Sequence, residues 1–169
     1  MEELIIQAMK KDKEAFTEVI LMIQKDLYII ARTRLKNEDD MCDAVQETMI
    51  EAYKSIGKLK KIEYFKSWVI RILINKCNKI YKSRHGNMIP FDDTINTCSS
   101  EIAEDKLNFD DLVKNLYFDE KIILTLYYSL GYTTKEMSEI LKINEGTIRS
   151  KISRAKTKLK NQYKGAESI

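Results

Sequence analysis

The chain has 169 residues with 29 lysines and arginines against 26 aspartates and glutamates, a net charge of +3; 44% of its residues are hydrophobic, and it has one proline and five glycines. This length holds one medium or two small domains, and the scarcity of proline and glycine predicts an all-α protein. The most apolar stretch, Val19 to Ala31, is broken by Gln24, Lys25 and Asp26, which excludes a bilayer span. The acidic start, Met1-Glu2-Glu3, lacks the basic region of a secretory signal. Cys42, Cys77 and Cys98 have neither metal-type nor disulfide-type spacing, so a soluble chain of the reducing cytoplasm is expected.

In chain order, Glu2 to Lys10 predicts a short helix with Leu4, Ile5, Ala8 and Met9 inward. Asp12 is placed to cap a long second helix, in which Phe16, Val19, Ile20, Ile23, Leu27, Ile30, Ala31 and Leu35 recur with helical period. Asn37 to Asp40 breaks that pattern. A third helix, Asp40 to about Ser55, puts Ala44, Val45, Thr48 and Ala52 on its buried side and Asp43, Gln46, Glu47 and Ile50 largely opposite. Gly57 ends it, and the lysine-rich loop Lys58-Leu59-Lys60-Lys61 follows.

A fourth helix, Glu63 to Ser83, carries Phe65, Trp68, Val69, Ile72, Leu73, Cys77 and Ile80 on one stripe. Lys66, Arg71, Asn75, Lys76, Asn78, Lys79 and Lys82 occupy its other side. Between Lys54 and Arg84 ten lysines or arginines face one acid, Glu63. Aromatic planes among cations are what unpaired bases stack upon, and Tyr64, Phe65 and Trp68 lie among these charges. Helical spacing assigns Phe65 and Trp68 to the core and leaves Tyr64 and the loop lysines to solvent or nucleic acid.

From His85 to Ile102 no period survives, and a flexible linker is predicted. It is acidic through Asp111 and lies between two basic segments, as a solvated spacer or as a shield over a basic face. Helix resumes near Ile102 with Leu107, Leu112, Val113 and Leu116. A capped start at Asp119 then leads a stripe of Ile122, Ile123, Leu126, Tyr127 and Leu130, ending at Gly131.

Next come two helices about a tight turn. Thr133 and Glu136 have capping-box spacing, and Met137, Ile140 and Leu141 supply the apolar stripe. Lys142 to Asn144 has room only for a turn, with Asn144 an N-cap for the following helix. In that helix Ile148, Ile152, Ala155 and Leu159 share one side. Thr147, Arg149, Ser150, Lys151, Ser153, Arg154, Lys156 and Lys158 cover the rest, and no acid occurs from Gly146 to Lys164. A helix-turn-helix lays its second helix in the major groove, with its early residues at base edges and its cations on phosphates. Two capped helices, a short turn and one-sided charge together point to duplex DNA binding rather than to a merely solvated face.

Catalytic chemistry is not indicated. His85 has no ligand-type neighbours, and no phosphate loop or nucleophile elbow occurs. Asp92-Asp93 and Asp110-Asp111 read as solvated carboxylates rather than a nuclease metal cluster. No catalytic residue, metal, cofactor or small-molecule substrate is expected, and the chain reads as a non-enzyme.

Three segments resemble bacterial sigma factors of the sigma-70 family, in the small extracytoplasmic-function (ECF) group. Asp40-Met41-Cys42-Asp43-Ala44-Val45-Gln46-Glu47-Thr48 is similar to the family's acidic Q-E-T segment. Phe65-Lys66-Ser67-Trp68-Val69-Ile70-Arg71-Ile72-Leu73-Ile74-Asn75 resembles its F-x-x-W segment, and Ile140 through Ala155 resembles its E-G-T helix-turn-helix. Departures are Cys42 where an acid is frequent, Tyr117 where a proline usually follows leucine, no arginine in Thr125 to Tyr128, and Ser138 in place of alanine. The resemblance implies two small helical domains. Residues 1–84 would be region 2, 85–105 the linker, 106–164 region 4 with the helix-turn-helix, and 165–169 a tail.

It implies that Asp43, Gln46, Glu47 and Ile50 meet the clamp helices of the largest subunit of core RNA polymerase, while region 4 meets the flap. Lys58, Lys60, Lys61, Tyr64, Arg71, Asn75, Lys76 and Lys79 would hold the melted minus-ten strand. Thr147, Arg149, Ser150, Lys151, Arg154, Lys156 and Lys158 would read the minus-thirty-five duplex. Promoter DNA and a membrane-linked anti-sigma factor are the remaining implied partners. The competing reading, a stand-alone helix-turn-helix repressor or activator, leaves the Gln46-Glu47 face and the aromatic-basic fourth helix without a role.

Overall fold

A computed structural model describes residues 1–85 and 116–166. Among them all regular structure is helical: α1 (Glu2–Met9), α2 (Lys13–Arg32), α3 (Glu38–Ser55), α4 (Phe65–His85), α5 (Phe118–Leu124), α6 (Thr134–Leu141) and α7 (Glu145–Ala166). Most of the predicted linker, Cys98, and the helix expected from Ile102 lie outside the described residues. His85 does not; it ends α4, one residue into the predicted linker.

Local chemistry sets the boundaries. Asp12 Oδ1 accepts from the Ala15 amide at 3.0 Å and starts α2. α2 stops at Arg32, short of Leu35, which nevertheless stays buried beyond the helix end. The cap of α3 is Asn37, whose Oδ1 accepts from the amides of Asp39 and Asp40 at 2.7 and 3.2 Å. The polar run Asn37 to Asp40 breaks the period of α2 as expected and also begins α3, which starts at Glu38, two residues ahead of the expected Asp40. Asp40, expected at the helix start, is buried and takes Arg84 Nη2 at 2.6 Å, which ties α3 to the far end of α4. Between α3 and α4, short 3₁₀ turns at Ile56–Lys58 and Ile62–Tyr64 frame the lysine loop. Buried Leu59 pins this loop, so Lys58, Lys60 and Lys61 project outward.

α1 to α4 enclose a core of Phe16, Val19, Ile23, Leu27, Ile30, Phe65, Val69 and Leu73. The second half packs onto it. Ile122, Ile123, Leu126, Met137, Ile140 and Ile148 belong to the same continuous cluster. α4 therefore buries a second stripe that its sequence pattern did not announce. Ile70 is 2% exposed and Ile74 is half-buried. One cleft beside them is lined by Ile74, Asn78, Phe118, Ile122 and Leu141, and another by Lys66, Ser67, Tyr132 and Glu136. Arg34 stacks 3.5 Å from the Tyr81 ring centre and 4.3 Å from that of Phe118, bridging the halves.

The start of α5 also differs from expectation. Tyr117, not Asp119, is the cap, and its amide is taken by Glu120 Oε2 at 3.1 Å. After Leu124 the backbone widens into a π-helical turn, Thr125–Ser129. This turn carries Tyr127 out of the predicted apolar stripe to the surface, where it meets Tyr128 edge-on at 4.9 Å. Gly131 closes the turn at φ 71°, a conformation that L side chains rarely adopt.

Candidate nucleic-acid interface

The helix-turn-helix forms as its residues dictate. Thr133 Oγ1 accepts from the Glu136 amide at 3.2 Å, and Glu136 Oε2 accepts from the Thr133 amide at 2.8 Å. Lys142 turns left-handed at φ 57°, and Asn144 Oδ1 accepts from the Gly146 amide at 2.8 Å. A Cβ on Gly146 would stand 3.2 Å from that oxygen, so glycine suits the tight entry to α7. Ile148, Ile152 and Ala155 are buried, which locks α7 against α5 and α6.

With that side fixed, Thr147, Arg149, Ser150, Arg154 and Lys156 are exposed. The other two cations of the predicted duplex-reading set are half-buried in ion pairs. Lys151 Nζ lies 2.8 Å from Asp119, and Lys158 Nζ lies 2.7 and 2.9 Å from the two oxygens of buried Glu120. Lys158 also sits over the Tyr117 ring at 4.6 Å. Lys156 lies over Tyr128 at 5.4 Å, and the Tyr128 hydroxyl raises its pKa. So Thr147, Arg149, Ser150 and Arg154 form the open surface, while Lys151 and Lys158 fasten α7 to the start of α5.

One acid, Glu145, stands at the head of this surface. Its Oε1 accepts from Thr134 Oγ1 at 2.7 Å and from Arg149 Nη2 at 2.6 Å, and these two bonds, the first foremost, hold its carboxyl below the usual range. Sequence reading missed Glu145, although its spacing to Arg149 is the i, i+4 arrangement of a helical ion pair.

The second basic surface follows α4. Arg71, Asn75 and Lys79 are exposed along one face, four residues apart, and the loop lysines and Tyr64 stand at the N-terminal end. Tyr64 is 39% exposed with Lys61 Nζ 5.6 Å from its ring centre. Phe65 is buried and Trp68 is half-buried against the core, as their spacing predicts. α4 thus has three faces: one in the first core, one under the second half, and one open and basic.

On α3, Asp43, Gln46, Glu47 and Ile50 are all exposed, with Ile50 at 54%. Glu47 Oε2 is 3.2 Å from Lys76 Nζ, so the acidic α3 face and the basic α4 face meet at one ion pair. Among the described residues no group of three or more His, Cys, Asp or Glu is placed to hold a metal ion. Likewise, no described helix is long and apolar enough to cross a membrane.

Known proteins carry the same organisation. The family model for Sigma-70 region 2 matches residues 19–86, and that for Sigma-70, region 4 matches residues 106–159. The chain is 28% identical over 184 residues to the ECF RNA polymerase sigma-E factor of Haemophilus influenzae, covering 94% of this chain and 93% of that protein. It is 25% identical over 177 residues to the ECF RNA polymerase sigma factor SigW of Bacillus subtilis, covering 95% of each. Two solved structures share the fold. CnrH, in complex with the cytosolic domain of CnrY, matches with a TM-score of 0.74 at 19% identity over 97% of each chain. The sigma factor RpoE of Bartonella quintana, in complex with the anti-sigma factor NepR, matches at 0.71 and 22% identity over 88% of this chain and 96% of that one. Two regions of one family, matched in order over well over half of the sequence, place this chain in the sigma-70 family, within its extracytoplasmic-function group.

Proposed function

We propose that this sigma factor divides promoter recognition between the open faces of α4 and α7 and presents α3 to core RNA polymerase. It acts in transcription initiation, by binding and strand capture rather than covalent chemistry, and in the cytoplasm. Asp43, Gln46, Glu47 and Ile50 engage the clamp helices of the polymerase's largest subunit, and region 4 engages the flap. Lys58, Lys60, Lys61 and Tyr64 with Arg71, Asn75 and Lys79 hold the melted minus-ten strand, as cations and exposed rings suit unpaired bases, with Lys76 beside them, half-buried and paired to Glu47. Thr147, Arg149, Ser150 and Arg154 meet the minus-thirty-five duplex, with Lys156 beside them. Region 2 then occupies residues 1–84 and region 4 residues 106–164. A membrane-linked anti-sigma factor is the proposed regulator, supported by the anti-sigma complex formed by one structural neighbour.

The observation that carries this reading is the pair of open basic faces on separate helices, one with an exposed tyrosine and one in a helix-turn-helix. A repressor needs only the second. Binding of the purified chain to a duplex, with and without core polymerase, tests the reading. A sigma factor binds promoter duplex poorly alone and tightly with the polymerase. Tight, sequence-specific binding alone, with no association with the polymerase, contradicts it.

A further inference from the structure

We propose that Glu145 is a positioning residue for Arg149, and that it sets base discrimination within the minus-thirty-five element; this rests on the sigma-factor reading above. Arg149 is exposed on α7, its side chain 68% accessible. A long cation in that position is drawn to whichever phosphate is nearest, a contact that carries no sequence information. Glu145 opposes this in two ways. Its Oε1 holds Arg149 Nη2 at 2.6 Å, and its negative charge disfavours a phosphate at the same place.

The tether is itself anchored. Thr134 Oγ1 donates to the same Oε1 at 2.7 Å from the first turn of α6, so the carboxylate is fixed from two helices. The bond also leaves the arginine competent to read. A guanidinium has five N–H donors, and Nη2 contributes one hydrogen to each of two edges. Whichever hydrogen Glu145 takes, one complete two-donor edge remains, and two parallel donors are what guanine O6 and N7 accept. The arrangement thus removes Arg149's freedom while leaving it one intact fork.

Run-off transcription with core polymerase, on promoters carrying each minus-thirty-five base in turn, tests the proposal. Glu145→Ala is expected to lower discrimination roughly five- to tenfold at the one guanine position that Arg149 reads. Discrimination at the other positions and at minus-ten variants stays unchanged. Glu145→Gln, which keeps an acceptor without the charge, falls between, and Thr134→Val moves in the same direction by less. In an Arg149→Ala background, Glu145→Ala has no further effect on base preference. An equal loss on every promoter would make Glu145 only a helix-stabilising acid and overturn the proposal. So would an undiminished effect without Arg149. A wild-type protein that starts no promoter-specific transcripts would instead refute the sigma-factor reading, and this proposal with it.

Discussion

Lys158 looks from the sequence like one more cation of the DNA-reading helix, but its surroundings assign it a structural task. Its ammonium neutralises Glu120, which is 9% exposed and also accepts from the Tyr117 amide that begins α5. Replacing it with methionine keeps an unbranched apolar stem of similar length and removes the ammonium, together with its place over the Tyr117 ring. A fully buried carboxylate stripped of its partner costs about 3–5 kcal/mol. Because the Lys158 side chain is 42% accessible and water screens part of the pair, about 1–2 kcal/mol is expected here. Urea unfolding of the whole chain measures this as a lower midpoint at unchanged slope. Adding Glu120→Gln should recover much of the loss, since no unpaired charge then remains. DNA binding supplies the complementary readout: the salt dependence of Lys158→Met should match that of wild type, whereas loss of a phosphate contact lowers the slope by about 0.9. An unchanged urea midpoint with a reduced salt slope would refute the structural assignment.

Other consequences are equally direct. Gln46→Ala with Glu47→Ala should weaken binding to core polymerase several-fold while leaving the circular dichroism and melting temperature intact; unchanged affinity removes that face from the polymerase interface. Arg149→Ala should cost about 1–3 kcal/mol on the cognate minus-thirty-five element and less on others, measured by titration of the polymerase complex. An equal loss on every sequence would make Arg149 a phosphate contact. Stability should also fall at alkaline pH. Burial pushes the Cys77 thiol from near 9 up to about 12, so between these values the unfolded chain releases a proton that the folded chain keeps. The slope is then about 1.4 kcal/mol per pH unit for that group, fully avoided below pH 9. Cys77→Ala should flatten the decline in urea midpoints from pH 9 upward, leaving the smaller part due to Tyr132, whose hydroxyl burial likewise raises to about 12.

Much of this architecture was legible in the residues, where local chemistry governs. Asp12, Thr133 and Asn144 cap the helices they were expected to cap, and the stripes of α2 and α7 are the buried ones. Less legible was whatever depends on partners distant in sequence. Ile74 sits outside the predicted stripe of α4 because the cleft beside it is lined by Phe118, Ile122 and Leu141 of the second half, and Ile70 is buried outside that stripe as well. Tyr127 keeps helical spacing with its neighbours, yet the π-helical turn rotates it outward. Lys151 and Lys158 share the basic composition of their helix, but acids 32 and 38 residues away claim them. The candidate polymerase and strand faces were both identified as exposed, but not the Glu47–Lys76 pair that joins them. Composition gives the sign of a surface, and only packing gives the neighbours of each charge.

A chain that directs polymerase to promoters must create new start sites in run-off transcription. Purified core polymerase is supplied with fragments of the source genome, with and without the protein. Discrete new start sites that require the protein are expected, preceded by a common minus-ten and a common minus-thirty-five element. These starts should be lost when Arg71, Asn75 and Lys79 or Arg149 and Arg154 are replaced by alanine. An absence of protein-dependent starts, together with tight duplex binding by the protein alone, would contradict that role.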